Sequence, residues 1–234
     1  MATRRLIEHQ ILPDRTTKSF CEGRLVPHIK QYALVVCHAQ CFTPEAVTIR
    51  NYKPADEQEW LRCRALAFLS TAYFDDVLTK KPTYDFPAVE LVADPAGAVV
   101  GLIDVTIADQ LATIESVAVH PDAARNGIGS LLLDEAQRRL PDNVTSLDAW
   151  TRDDEAANNW YVSNGFRENF RYLHVYAAGA QEPGAAVIQA RAGLTPVAAF
   201  FHAGISDETM LRSEFSRVHI CRQYVRSIGA PKCR

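Results

Sequence analysis

The sequence predicts an α/β fold with a mixed central sheet. Three observations carry that expectation. Short β-branched runs alternate with stretches of helical apolar spacing between Val47 and Tyr176. Asp94-Pro95-Ala96-Gly97 separates two apolar runs and reads as a hairpin turn. A strand, a glycine-containing turn and an apolar helix follow one another from Ala112 to Leu140.

Residues 1–46 show no period and read as an N-terminal arm, disordered or accessory, with Tyr32–Val36 as one short strand. Val47–Tyr52 predicts the first strand of the main domain. Pro54 then precedes a helix, with Asp56 as its N-cap and Glu59 in the capping-box position. Trp60, Cys63, Ala67 and Phe68 share its apolar face; substrate stacking by Trp60 or Phe68 is the alternative to a core role. Tyr73 to Pro87 is polar, aromatic and proline-punctuated, hence a loop. Val89–Ala93 and Val99–Ile107 are the hairpin strands, and Ala112–Val119 is the next strand.

Ser130–Leu140 predicts a helix stopped by Pro141-Asp142-Asn143. Val144–Trp150 is a strand, Asp154–Asn164 a helix capped by Gly165, and Phe166–Tyr176 a strand. Residues 177–186 read as a linker. The tail offers strands near Thr195–His202 and Arg217–Val225 around a helix at Asp207–Phe215. That is too little core for a separate domain, so residues 177–234 are expected to pack on the 47–176 domain as a strand–helix–strand extension.

Composition narrows the function classes. With 47% hydrophobic and 23% charged residues, the 234-residue chain has the makeup of a globular protein with a core. A formal charge of -3 argues against nucleic acid as a partner. No apolar run approaches the about twenty residues of a membrane span, which argues against a membrane partner. Glu8, Asp14, Arg15, Lys18 and Glu22 interrupt any signal-peptide core, so a cytoplasmic location is expected. Cys37 and Cys41 bracket His38, but no second Cys/His pair with zinc spacing follows, and no metal is expected. Cys63 and Cys221 read as small buried residues.

Chemistry concentrates at Glu115 to Ser130. The run Val117-Ala118-Val119-His120-Pro121 leads through a polar turn to Gly127-Ile128-Gly129-Ser130 and then Leu131-Leu132-Leu133. The first amides of a helix lack intrahelical partners and sit at the positive end of its dipole, so such a turn can seat a phosphate. A tight strand–helix connection without a ligand is the plain alternative. A dinucleotide-binding turn would need a third glycine, and Ser130-Leu131-Leu132 supplies none.

About thirty residues on lies Asp154-Glu155-Ala156-Ala157-Asn158-Asn159-Trp160-Tyr161-Val162-Ser163-Asn164-Gly165-Phe166. In this order and spacing the two segments resemble the acetyl-CoA-binding and closing motifs of the GNAT superfamily of N-acyltransferases. The resemblance covers a little over half the chain and implies a mostly antiparallel sheet flanked by helices. It implies acetyl-CoA as co-substrate and an amine, small-molecule or protein, as acceptor. Backbone groups of Arg125, Asn126, Gly127, Ile128, Gly129 and Ser130 would hold the pyrophosphate. Val117, Ala118 and Val119 would pair with the pantetheine arm, with an amide at Val119 polarising the thioester oxygen, and Asp154 and Asn158 would lie near the arm.

By the same resemblance Tyr161 would protonate the departing thiolate, and Glu115 would act as general base. Alternation places Glu115, Val117 and Val119 on one face. Asp75 and Asp76, in the loop that walls the acceptor pocket in that family, would meet a cationic amine; a solvated loop is the plain alternative. Two departures stand out: Ala124 occupies a place where many members have Gln or Arg, and Asp154 one where many have Asn. They leave room for the alternative of an acyl-CoA-binding regulatory module with weak catalysis. No cysteine lies in either motif, which favours direct transfer. A homodimer through a tail strand is a further expectation, and the acceptor is not specified.

Overall fold

The computed structural model describes residues 47–179, 181–182, 193–194 and 196–229. The expected arm at 1–46, including Tyr32–Val36 and the Cys37–His38–Cys41 cluster, lies outside the described residues, as do residues 183–186 of the expected linker. The elements are β1 (Thr48–Asn51), α1 (Glu57–Phe68), β2 (Ala88–Asp94), β3 (Gly101–Ala108), β4 (Leu111–Val119), α2 (Ile128–Arg138), β5 (Ser146–Thr151) and α3 (Glu155–Ser163). They continue as β6 (Arg167–Ala178), β7 (Ala198–Ala203), α4 (Glu208–Glu214) and β8 (Arg217–Ser227). One eight-stranded sheet runs in the order β1-β2-β3-β4-β5-β8-β6-β7. Its neighbours are antiparallel except β4 and β5, which are parallel.

The inner strands are apolar on both sides because helices cover both faces. Leu91, Ala93, Ile103 and Val105 pack with Ile128, Leu132, Leu133 and Ala136 of α2. Their strand neighbours Val92 and Leu102 pack with Trp60 and Cys63 of α1 on the opposite face. Trp60 and Cys63 are thus core residues. Full burial of each large apolar side chain contributes about 1.5–3 kcal/mol, enough to fix α2 against the sheet.

Two boundaries differ from expectation for local reasons. Asp56 does not cap α1; its backbone is helical, and its carboxylate instead accepts from Lys53 N at 2.8 Å and pairs with Arg50 at 2.7 Å. A 3-10 turn over Pro54–Asp56 precedes the helix and takes up the proline. α2 begins at Ile128, two residues early, because Gly127 with φ 76° already ends the turn.

The tail supplies the expected strand, helix and strand, and β8 enters the sheet itself. It lies between β5 and β6, antiparallel to both, from Arg217↔Tyr176 to Ser146↔Ser227. The edge strands are β1 and β7, so β7 and not β8 is the tail strand open to pairing with another chain. No helix among the described residues is long and apolar enough to cross a membrane.

Candidate active site

The site begins where a ladder stops. β4 and β5 pair only from Leu111↔Ser146 to Ile114↔Ala149. Beyond that point β4 continues as Glu115–Val119 with β3 on its other side, and no strand bonds its free edge. β5 keeps β8 on its other edge along its whole length, from Ser146 to Thr151. The result is a wedge between parallel strands that exposes backbone donors and acceptors within the sheet, a ready partner for an extended chain-like ligand.

A cavity of about 410 Å³ occupies this wedge. Its walls include Glu115, Val117, Ala118 and Val119 of β4, Arg125 and Gly127–Ser130 of the turn and α2, and Asp154 and Tyr161 of α3. Eleven of the thirteen residues singled out from the sequence therefore converge there. The other two do not line it. Asn126 Nδ2 donates to Ala123 O at 3.3 Å and holds the turn, while Asn158 Nδ2 faces Arg152 O at 3.4 Å.

The turn presents its amides for reasons that can be traced. Arg125 and Gly127 both have left-handed backbones, with φ of 63° and 76°, which swings the chain directly into α2. The first intrahelical bond runs from Leu131 N to Gly127 O, so the amides of Ile128, Gly129 and Ser130 have no helical partner. Ile128 is anchored in the core, and Gly101 on β3 leaves space for it: a Cβ there would stand 2.9 Å from Ile128 Cγ2. Gly129 has a different task from the one its spacing suggests. A Cβ at 129 would meet Trp160 Nε1 at 3.1 Å, so its smallness lets α3 close on α2.

Tyr161 is buried against Trp160, Phe166 and Tyr224, with Tyr224 stacked at 5.2 Å and 12°. Burial pushes its phenol well above the ordinary tyrosine range, so it remains a proton donor at working pH. Asp154 is the N-cap of α3, its Oδ1 accepting from Ala157 N at 2.8 Å while the residue also lines the cavity.

Glu115 is in the cavity but not on the face that alternation predicts. The β3–β4 register jumps from Asp104↔Ser116 to Val105↔Ile114, leaving Glu115 as the extra residue of a β-bulge. The bulge resets the period. Val117 and Val119 lean toward the α2 core, whereas Glu115 turns to the α1 side and accepts from Thr106 Oγ1 at 2.7 Å.

Asp75 and Asp76 are engaged within the protein. Asp76 Oδ2 takes Arg64 Nη2 at 2.7 Å, and Asp75 takes both Arg217 nitrogens at 2.5 and 2.8 Å. Both carboxylates are thus paired within the protein; Asp76 still lines the cavity, and Asp75 does not. The partners come from α1 and β8, far from the loop in sequence. Arg64, Tyr73, Trp150 and Trp160 also line the cavity. Of these only Trp160 lies within a motif, and its spacing marks a helix face rather than a site.

Comparisons with known proteins came to the following. The family model described as acetyltransferase (GNAT) domain matches residues 88–168. No curated protein sequence matches the chain. Among solved structures, the chain is similar to the ribosomal-protein-S18-alanine N-acetyltransferase from Escherichia coli, with 15% identity over 80% of this chain and 99% of that one and a TM-score of 0.48. It is similar to Ard1 from Thermoplasma volcanium, with 19% identity over 79% and 99% and a TM-score of 0.48. It is also similar to PaiA N-acetyltransferase from Thermoplasma acidophilum in complex with coenzyme A, with 14% identity over 53% and 91% and a TM-score of 0.46.

Proposed function

Proceeding from residues 88–168 as a GNAT acetyltransferase domain, we propose that the protein is an acetyl-CoA-dependent N-acetyltransferase acting directly on an amine. The observation that carries this reading is the open wedge between β4 and β5, faced at one end by the free amides of α2 and lined by Tyr161. The residues fit the donor. Ile128, Gly129 and Ser130 offer unpaired amides at a helix N-terminus to the pyrophosphate, and Val117–Val119 offer an unpaired strand edge to the pantetheine amides. Side-chain help from position 124 is absent with alanine there, and Arg125 in the same turn is the cation at hand.

Four tasks then fall to named groups. The turn and β4 hold the donor, and the Val119 amide polarises the thioester carbonyl. Glu115, held by Thr106, receives a proton from the acceptor ammonium. The amine nitrogen attacks the carbonyl carbon, the C–S bond breaks, and Tyr161 gives the leaving sulfur its proton. A cytoplasmic setting belongs to the same proposal; Cys63 and Cys221 are free buried thiols, suited to a reducing compartment.

Calorimetric titration of acetyl-CoA tests the reading, comparing the intact chain with a Gly127→Glu, Gly129→Glu double variant. Saturable binding by the first and none by a folded second is expected. No binding by the intact chain overturns the proposal, and binding without CoA release on any amine favours the regulatory module instead.

A further inference from the structure

Behind the acyl cavity, two buried polar atoms without partners belong to opposed residues of neighbouring strands. Asp104 on β3 and Ser116 on β4 are directly opposed in the antiparallel register. Neither Asp104 Oδ1 nor Ser116 Oγ has a hydrogen-bond partner among the described residues. Leaving such an atom unpaired costs about 1–3 kcal/mol, so two at one spot are not a neutral feature. Opposed Cβ atoms in a ladder are about 4.5–5.5 Å apart. A serine hydroxyl turning about one bond can then reach the carboxylate directly or across one water.

Ser116 borders one cavity, and the side chains bonded to Asp104 border another. Ser116 lines the acyl cavity beside Glu115. Asp104 is 0% exposed, and its Oδ2 accepts from the Tyr84 hydroxyl at 3.1 Å and the Lys81 ammonium at 2.9 Å. Lys81, which also pairs with Glu90, lines a second cavity of about 440 Å³ together with Tyr84 and Glu90.

We propose that Ser116 and Asp104 form a second proton route out of the acyl cavity, alongside Glu115, that drains toward the second cavity. This rests on the acetyltransferase reading. The acceptor ammonium loses a proton to Ser116 Oγ as that hydroxyl passes its own to Asp104 Oδ1. The freed lone pair forms the N–C bond, the C–S electron pair stays on sulfur, and the amine's second proton reaches sulfur by way of Tyr161. Asp104 then returns to the carboxylate as its proton passes to the Tyr84 hydroxyl, whose own proton leaves to solvent through the second cavity.

The groups around Asp104 set its behaviour: Lys81 and Tyr84 from the loop before β2 and Glu90 from β2; farther out, Glu115 of β4 acts on Tyr84, and Glu57 of α1 accepts from the Lys81 backbone at 3.0 Å. Burial, the largest influence, holds the Asp104 carboxyl above its ordinary range, against the pull of the Lys81 ammonium. A carboxylate so placed accepts a proton more readily than a solvated one.

Release of CoA from acetyl-CoA, with spermidine, L-lysine and dialanine as amine probes, tests the route across the neutral and acid range. Ser116 Oγ makes no bond, so Ser116→Ala keeps the fold, and its acetyl-CoA affinity by calorimetry is expected within about twofold of the parent. Glu115→Gln is expected to keep measurable turnover, and that remainder falls as pH drops into the range where Asp104 is protonated. Adding Ser116→Ala to it should remove both the remainder, by about tenfold or more, and the pH limb; Ser116→Thr, which keeps a hydroxyl, should restore them. A Ser116→Ala rate equal to the parent's in the wild-type background, and equal to that of Glu115→Gln in that background, overturns the route and leaves the transferase reading standing. A parent chain that binds acetyl-CoA but releases no CoA with any probe overturns both.

Discussion

Tyr161 and Tyr224 stack nearly parallel with ring centroids 5.2 Å apart, so the last strand of the chain backs a residue that lines the candidate active site. Tyr161→Phe is expected to lower CoA release by about ten- to hundredfold with acetyl-CoA affinity unchanged, since only the proton donor is lost. Tyr224→Phe keeps the stack and should keep the rate. Tyr224→Ala opens a cavity beside the phenol and is expected to cost about 3–5 kcal/mol of stability, read from denaturant midpoints, along with much of the rate. Because burial holds the Tyr161 phenol above its ordinary range, the rate should show no alkaline decline from its ionisation up to about pH 10.

The two motif glycines should respond differently to alanine. At Gly127 φ is 76° and nothing lies within 4 Å of a new Cβ, so Gly127→Ala meets only backbone strain, about 1–2 kcal/mol. At Gly129 the backbone is helical, and alanine gains about 1 kcal/mol of propensity there. Against that, the new Cβ crowds Trp160 Nε1 at 3.1 Å. Gly129→Ala is therefore expected to leave the melting temperature nearly unchanged while weakening acetyl-CoA binding several-fold as α3 is displaced. Calorimetry beside thermal unfolding separates the two.

Acid stability should depend on Arg50. Its guanidinium bonds Asp56 at 2.7 and 2.9 Å and Asp94 at 2.8 and 3.0 Å, joining β1, the turn before α1 and the end of β2. The hydrogen bond from Arg50 holds the Asp56 carboxyl below its ordinary range; at Asp94, burial opposes the same pull and loses. A depressed carboxyl contributes stability that is complete above its unfolded value, about 4, and disappears as pH falls through the folded one. Arg50→Ala should cost about 1–3 kcal/mol at neutral pH. Urea midpoints measured against pH should show the gap between parent and variant constant above about pH 5 and closing below about pH 4.

The elements were readable because each is written in a local period. Ile128, Leu132, Leu133 and Ala136 mark the buried side of α2 without reference to anything else. Strand order is not local, and nothing within Arg217–Ser227 announces that it enters between β5 and β6. One bulge was enough to put Glu115 on the wrong face, since a single extra residue inverts a period of two. The partners of Asp75 and Asp76 lie 142 and 12 residues away, and no spacing within the loop reveals them. The site was legible where it is built from backbone and illegible where side chains meet from distant elements.

Gly101 offers the sharpest test of how the fold positions the phosphate seat. It lies on β3, outside both motifs, yet a Cβ there would stand 2.9 Å from Ile128 Cγ2, 3.0 Å from Leu132 Cδ1 and 3.3 Å from Ala93 Cβ. All three neighbours are fully buried in one core cluster, so none can swing into solvent. Accommodating the methyl requires α2 to lift from the sheet, and with it the amides of Ile128, Gly129 and Ser130. Overpacking of this kind costs about 1–3 kcal/mol. Gly101→Ala is expected to lower stability by that amount and also to weaken acetyl-CoA binding, although no atom of residue 101 lines the cavity. Shortening the obstructing side chain with Ile128→Val in the same chain should recover part of both losses. A Gly101→Ala chain with full affinity would mean that the turn is held by its own left-handed residues, Arg125 and Gly127, independently of how α2 packs.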